Sequence, residues 1–133
     1  MRVAFIPNMG NKNILSVLET AVKLCKDYKM DVYLPEDEEV KEIAKLIHVS
    51  SDHILPKPEL FKHVDMALSF GGDGTIIHLA RQIFPYNVPI CGVNLGELGF
   101  LNQIEINQLE CHLQRIYKGD YNIEKRNHLH AYI

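Results

Sequence analysis

Short apolar runs alternate with stretches of helical period along most of the chain. Arg2-Val3-Ala4-Phe5-Ile6-Pro7 reads as a first strand, closed by proline and the polar loop Asn8-Met9-Gly10-Asn11. Ile14, Leu15, Leu18, Ala21, Val22 and Cys25 recur at the spacing that lines one side of a helix, which is expected to run to about Tyr28. Asp31 to Pro35 is a second strand. The acidic opening Glu36-Asp37-Glu38-Glu39 leads into Val40, Ile43, Ala44 and Ile47, predicting a helix whose first turn complements its own dipole. From His48 to Lys62 the pattern is broken by Pro56 and Pro58, and this stretch is the least regular. Asp65 to Phe70 forms the next strand. A helix then runs from the glycines to about Phe84, with Ile76, Ile77, Ala80 and Ile83 on one side. Pro85-Tyr86-Asn87 is a turn, Pro89 to Val93 another strand, and Leu109, Leu113, Ile116 and Tyr117 mark a last helix closed by Gly119. Strands that are apolar throughout, alternating with helices, predict an α/β fold: a parallel, Rossmann-like sheet with helices on both faces.

The tail from Tyr121 to Ile133 alternates like an extended strand and stops in mid-pattern, with no partner evident in its own chain. The expectation is one α/β domain over residues 1–120, with residues 121–133 opening a β-rich second domain beyond Ile133. A length of 133 residues suits one domain and is short for two.

Charge and composition remove several classes of partner. A net charge of -3 and a pI near 6.1 give no electrostatic case for nucleic acid or an anionic membrane. No apolar run approaches the ~20 residues of a membrane helix, and the opening run is too short for a signal peptide. Cys25, Cys91 and Cys111 are widely spaced within apolar patterns and read as buried, reduced thiols. A soluble protein of the cytoplasm is expected. His128 and His130 share a strand face, but no third metal ligand is near, so solvent-facing histidines are the reading preferred.

The chemistry concentrates in Ser69-Phe70-Gly71-Gly72-Asp73-Gly74-Thr75, where a strand stops at paired glycines and a helix begins. Glycines accept φ angles that side chains resist and let backbone N–H groups approach a ligand. A helix start adds unpaired N–H groups and a positive dipole end, which suits phosphate. Asp73 is the odd residue, because a carboxylate beside phosphate is costly unless a metal bridges it or it accepts a proton from a nucleophile. The stretch therefore points to phosphoryl transfer. A plainer reading keeps Asp73 as a helix N-cap in a tight turn. Neither the three-glycine dinucleotide fingerprint nor the Walker pattern is matched. His78, one turn beyond Gly74, either reaches a bound phosphate or ribose or is simply an exposed helical histidine.

A second glycine-rich stretch, Gly92-Val93-Asn94-Leu95-Gly96-Glu97-Leu98-Gly99-Phe100-Leu101, also falls at a strand's carboxyl end, where open α/β sheets bind ligands. Asn94 either bonds loop backbone, the reading preferred, or faces a ligand. Phe100 is either a core anchor or a wall of a nucleotide pocket.

Together these two stretches resemble the N-terminal domain of the NAD kinases. The first alone is shared with diacylglycerol, sphingosine and phosphofructokinase-like kinases; the second, at this distance, is far more particular to NAD kinases. Glu124-Lys125-Arg126 resembles the family's entry into its β-rich second domain. The resemblance implies transfer of the ATP γ-phosphoryl to the 2′-hydroxyl of the adenosine ribose of NAD, giving NADP. ATP and NAD are the substrates, and Mg²⁺ or another divalent metal offsets charge on the transferring group. It carries Asp73 over as proton acceptor, Gly74 as a backbone contact to NAD, His78 as a basic position near it and Phe100 as a pocket residue. Gly71, Gly72 and Thr75 shape the phosphate-facing turn. The partners implied are small nucleotides, with no nucleic acid and no membrane, and the family assembles as dimers or tetramers. Glu97 stands where the family often has a basic or neutral residue. The family's Asn-Glu or Asn-Asp motif does not occur before Ile133, so little or no activity is expected of these residues alone. Two other readings compete: a lipid kinase of the diacylglycerol type, and a nucleotide-binding regulatory module without turnover.

Overall fold

The chain is described by a computed structural model covering residues 1–95, 103–118, 124–125 and 131–132. Five parallel strands form the body of the sheet: β1 (Arg2–Pro7), β2 (Asp31–Pro35), β3 (Ile54–Leu55), β4 (Met66–Gly71) and β5 (Pro89–Asn94), in the order β3-β2-β1-β4-β5. Between them run α1 (Ile14–Asp27), α2 (Glu38–Ala44), α3 (Lys57–His63) and α4 (Asp73–Ile83). Beyond β5, the short β6 (Gln103–Glu105) precedes α5 (Leu109–Lys118), and two-residue strands β7 (Glu124–Lys125) and β8 (Ala131–Tyr132) follow. β6 pairs in parallel with Gly92–Asn94 of β5, while β8 pairs in parallel with Pro89 and Ile90; β7 lies antiparallel to β8.

Side chains alternate across this sheet, and because helices cover both faces, both sets are apolar. Val3, Phe5, Met66, Leu68, Phe70, Cys91 and Val93 join a core with residues of α1, α2 and α5. Ala4, Ile6, Ala67 and Ile90 join a second core with Leu60 and Phe61 of α3 and Leu79, Ala80 and Ile83 of α4. Full burial on both faces explains why the strands read as unbroken apolar runs. In the first core, the rings of Phe5 and Phe70 meet in a tilted pair with centroids 4.9 Å apart, a contact that adds about 1 kcal/mol to plain burial.

The irregular stretch holds more structure than the sequence suggested. Ile54–Leu55 adds a strand at the edge, and Lys57–His63 is a helix with Pro58 in its first turn. There a missing N–H costs nothing, because first-turn N–H groups have no intrahelical partner, so this proline starts a helix and does not break one. α2 ends at Ala44, short of Ile47; the chain then turns through His48 at φ 63, and Val49 N–H donates to Ala44 C=O at 2.9 Å. Ile47 remains fully buried, so its place in the apolar pattern was real although its helix was not.

Two further expectations are corrected. Cys111 is exposed on α5, whereas Cys25 and Cys91 are buried. Part of the tail finds a partner within its own chain, since β8 pairs with β5. Gly119, Arg126, His128 and His130 lie outside the described residues. No helix among the described residues is long and apolar enough to cross a membrane.

Candidate active site at the β1–β4 switch point

The strand order reverses direction at β1, which has β2 on one side and β4 on the other. α1, following β1, packs into one core, and α4, following β4, packs into the other on the opposite face. The chains leaving β1 and β4 therefore diverge. Such a switch point opens a crevice beyond the carboxyl ends of the strands, where ligands of open α/β sheets bind. The glycine stretch singled out by sequence leaves β4 at this place.

Backbone hydrogen bonds tie three strand ends together there. Asn8 N–H donates to Phe70 C=O at 2.8 Å, binding the loop after β1 to β4. Leu95 N–H donates to Gly71 C=O at 3.0 Å, binding the chain after β5 to the same strand. Gly71 pairs in register with Asn94, which is 4% exposed and lies at the end of β5, not in a loop as its glycine-rich context suggested. Gly92 is likewise a strand residue, paired with Ser69.

The glycines do not act as expected. None of Gly71, Gly72 and Gly74 has a φ in the left-handed region, so conformational freedom is not what this turn requires. A β-carbon on Gly71 would meet Thr75 Cβ at 2.9 Å and Asn8 Cβ at 3.2 Å; this glycine is a packing requirement. A β-carbon on Gly72 or Gly74 would have nothing within 4 Å. Those two positions leave space that nothing among the described residues fills, which is the property a ligand approaching bare backbone needs.

Gly72, extended at φ -123 and ψ -161, is the N-cap of α4, and Asp73 is the helix's first residue. The plainer reading of Asp73 as N-cap is thereby corrected. Asp73 itself is partly exposed. Ile76 N–H donates to Gly72 C=O at 3.3 Å, which closes the first turn of α4 over Asp73, Gly74 and Thr75. His78 lies one turn further along α4 and is exposed. Phe100 lies outside the described residues.

Sequence reasoning passed over Asn8 and Ser69. Asn8-Met9-Gly10 after β1 repeats the strand, polar residue, glycine punctuation seen after β4, and that repetition was the available signal. Ser69, two residues before Gly71, is 1% exposed, and its hydroxyl has no hydrogen-bond partner among the described residues. Nothing in its sequence context marks it. A hollow lined by Glu36, Lys41, Ala44, Lys45 and Ile54 lies at the β2–β3 edge, away from the switch point, and its Lys41 is already paired with Glu36 at 3.4 Å. Among the described residues no group of three or more His, Cys, Asp or Glu side chains could hold a metal ion.

Comparison with known proteins gives the family of the chain. Residues 3–121 match the sequence profile of the ATP-NAD kinase N-terminal domain. The NAD kinase of Thermoanaerobacter sp. (strain X514) is 34% identical over 130 residues, covering 98% of this chain and 44% of that protein. The NAD kinase of Caldanaerobacter subterraneus subsp. tengcongensis is 37% identical over 130 residues, with the same coverage. A yeast NADH kinase solved in complex with NADH superposes with a TM-score of 0.79 at 19% identity, covering 95% of this chain and 40% of that one, a likeness of fold. The chain thus spans somewhat less than half the length of the curated relatives it matches. With a glycine-flanked aspartate at the switch point and a family profile matched over residues 3–121, the chain belongs to the NAD kinase family.

Proposed function

We propose that this chain carries the catalytic loop for transfer of the γ-phosphoryl group of ATP to the 2′-hydroxyl of the adenosine ribose of NAD, giving NADP and ADP. The observation that carries the reading is Asp73: a partly exposed carboxylate opening α4 at the switch point, between two glycines that leave their surroundings clear. A carboxylate among phosphates is explained if it receives the ribose hydroxyl proton while the freed oxygen lone pair bonds to phosphorus and the bond from phosphorus to the departing ADP breaks. Gly72 and Gly74 let the nucleotides approach backbone, Gly71 and Thr75 hold the turn in shape, and Asn94 braces it from β5. His78 and Phe100 contact NAD.

The residues fit a metal that arrives with the nucleotide. Mg²⁺ is commonly held by substrate phosphates with one or two carboxylates, and no preformed cluster is required. When bound it neutralises charge on the transferring group. Positioning supplies much of the rate in such reactions, and the chain matches less than half of each relative's length. Full activity accordingly belongs to a polypeptide in which residues 1–120 are joined to a second, β-rich domain that residues 121–133 begin, and residues 1–133 alone have little. Assembly as a dimer or tetramer and a cytoplasmic setting follow the family resemblance.

The test is NADP formation from NAD, ATP and Mg²⁺ by the full-length protein, read with an NADP-specific dehydrogenase. Asp73→Asn should lower kcat by roughly 10²–10⁴-fold, the usual span for loss of a general base, with the fold intact by circular dichroism. An unimpaired Asp73→Asn enzyme, or phosphorylation of a lipid in place of NAD, would remove the reading.

A further inference from the structure

We infer that Asn8, on the loop after β1 and packed against Gly71 of the glycine turn, is a binding residue for the phosphate chain of the nucleotide donor. The inference rests on the phosphoryl-transfer reading and adds to it a residue from the other strand of the switch point. Three observations converge on Asn8. It is the first residue beyond β1, and its N–H is fixed to Phe70 C=O at 2.8 Å, so it cannot drift from the glycine turn. Its Cβ lies 3.2 Å from where a β-carbon on Gly71 would stand, which sets it directly against the turn that leads to Asp73. It is exposed, although both its neighbours in that packing, Gly71 and Phe70, are buried.

The chemistry of its amide follows from one hydrogen bond. Gly10 N–H, which can only donate, lies 3.0 Å from Asn8 Oδ1. The oxygen must therefore face the loop backbone, and the NH₂ group, with two donors and no acceptor, faces away from it. An outward-facing pair of N–H donors in a crevice that receives a polyphosphate is suited to phosphate oxygens, and it carries no charge that would compete with a cation riding on the same nucleotide. An Asx turn alone would be served equally well by aspartate, since only the oxygen is used.

Asn8→Asp separates the two roles. It keeps the acceptor for Gly10 N–H and replaces the donor face with a negative charge. Asn11→Asp is the matched control, because Asn11 Oδ1 likewise accepts from Asn13 N–H, at 2.8 Å, in the same loop. Steady-state kinetics on the full-length protein should show Asn8→Asp raising the KM for ATP by about ten- to a hundredfold, the usual cost of losing a hydrogen bond to a charged group. The KM for NAD should change less than about twofold, and Asn11→Asp should resemble wild type. Calorimetric titration with inorganic tripolyphosphate gives a readout independent of turnover: wild type should bind, and Asn8→Asp should bind at least ten times more weakly. The inference is overturned if Asn8→Asp matches wild type, if both variants weaken ATP equally, or if wild type does not bind tripolyphosphate. Failure of the NAD kinase reading itself shows separately, as absence of NADP formation by wild type.

Discussion

Thr75 stands so close over Gly71 that a β-carbon there would come within 2.9 Å of the threonine Cβ. Gly71→Ala should therefore destabilise the fold by about 1–3 kcal/mol, as overpacking does elsewhere. Gly72→Ala and Gly74→Ala meet open space, and Gly74 lies inside α4. The first should cost under about 1 kcal/mol, and the second should add up to about 1 kcal/mol through helix propensity. Urea denaturation separates the three. Both open-space variants should nonetheless lose nucleotide affinity; a Gly74→Ala protein that is unstable, or stable and fully active, contradicts this division of labour.

Ser69 buries a hydroxyl that finds no partner among the described residues. An unsatisfied buried group costs about 1–3 kcal/mol, so Ser69→Ala should raise the unfolding free energy by about 1 kcal/mol. A loss of stability instead would mean that the hydroxyl is satisfied in solution.

Asp37 caps α2, accepting Glu39 N–H at 2.9 Å through its side chain. Asp37→Ala should cost about 1 kcal/mol and Asp37→Ser much less. Denaturation midpoints of the two variants decide it.

The thiols differ in reach and in acidity. Burial pushes both Cys25 and Cys91 from 9.0 up to about 12, while Cys111 is exposed. At pH 8 a maleimide should label one thiol per native molecule and three after denaturation. Because the folded state holds these two protons more tightly than the unfolded chain, their contribution to stability is complete below pH 9 and is lost as pH rises toward 12. Each should remove on the order of 1 kcal/mol per pH unit within that window. Unfolding measured at pH 8 and pH 10.5 checks the sign, and Cys25→Ser should lessen the slope.

Sequence pattern carried most of the architecture because strands buried on both faces leave little doubt about where they lie. Where it failed, the reasons are local. Pro58 was weighed as a breaker when its place in a first turn made it harmless, so α3 and its preceding edge strand went unseen. Ile47 belonged to the apolar period of α2 yet reaches the core from a turn, since burial depends on three-dimensional position and period only approximates it. The site was legible as a motif, but the separate duties of its glycines were not. Gly71 answers to Thr75 and Asn8, which is a fact of tertiary packing, whereas Gly72 and Gly74 answer to nothing among the described residues. Asn8 went unmarked because only the strand order brings it beside Gly71.

One edge of β5 is shared end to end, by β6 along Gly92–Asn94 and by β8 along Pro89–Ile90. Shortening the chain to Lys118 would strip β8 away and leave bare the backbone carbonyls and amides at the start of β5, a template for any extended peptide nearby. Such a trimmed protein should keep its strand order at β1 and β4 yet aggregate more readily than residues 1–133, which light scattering of the two side by side would show.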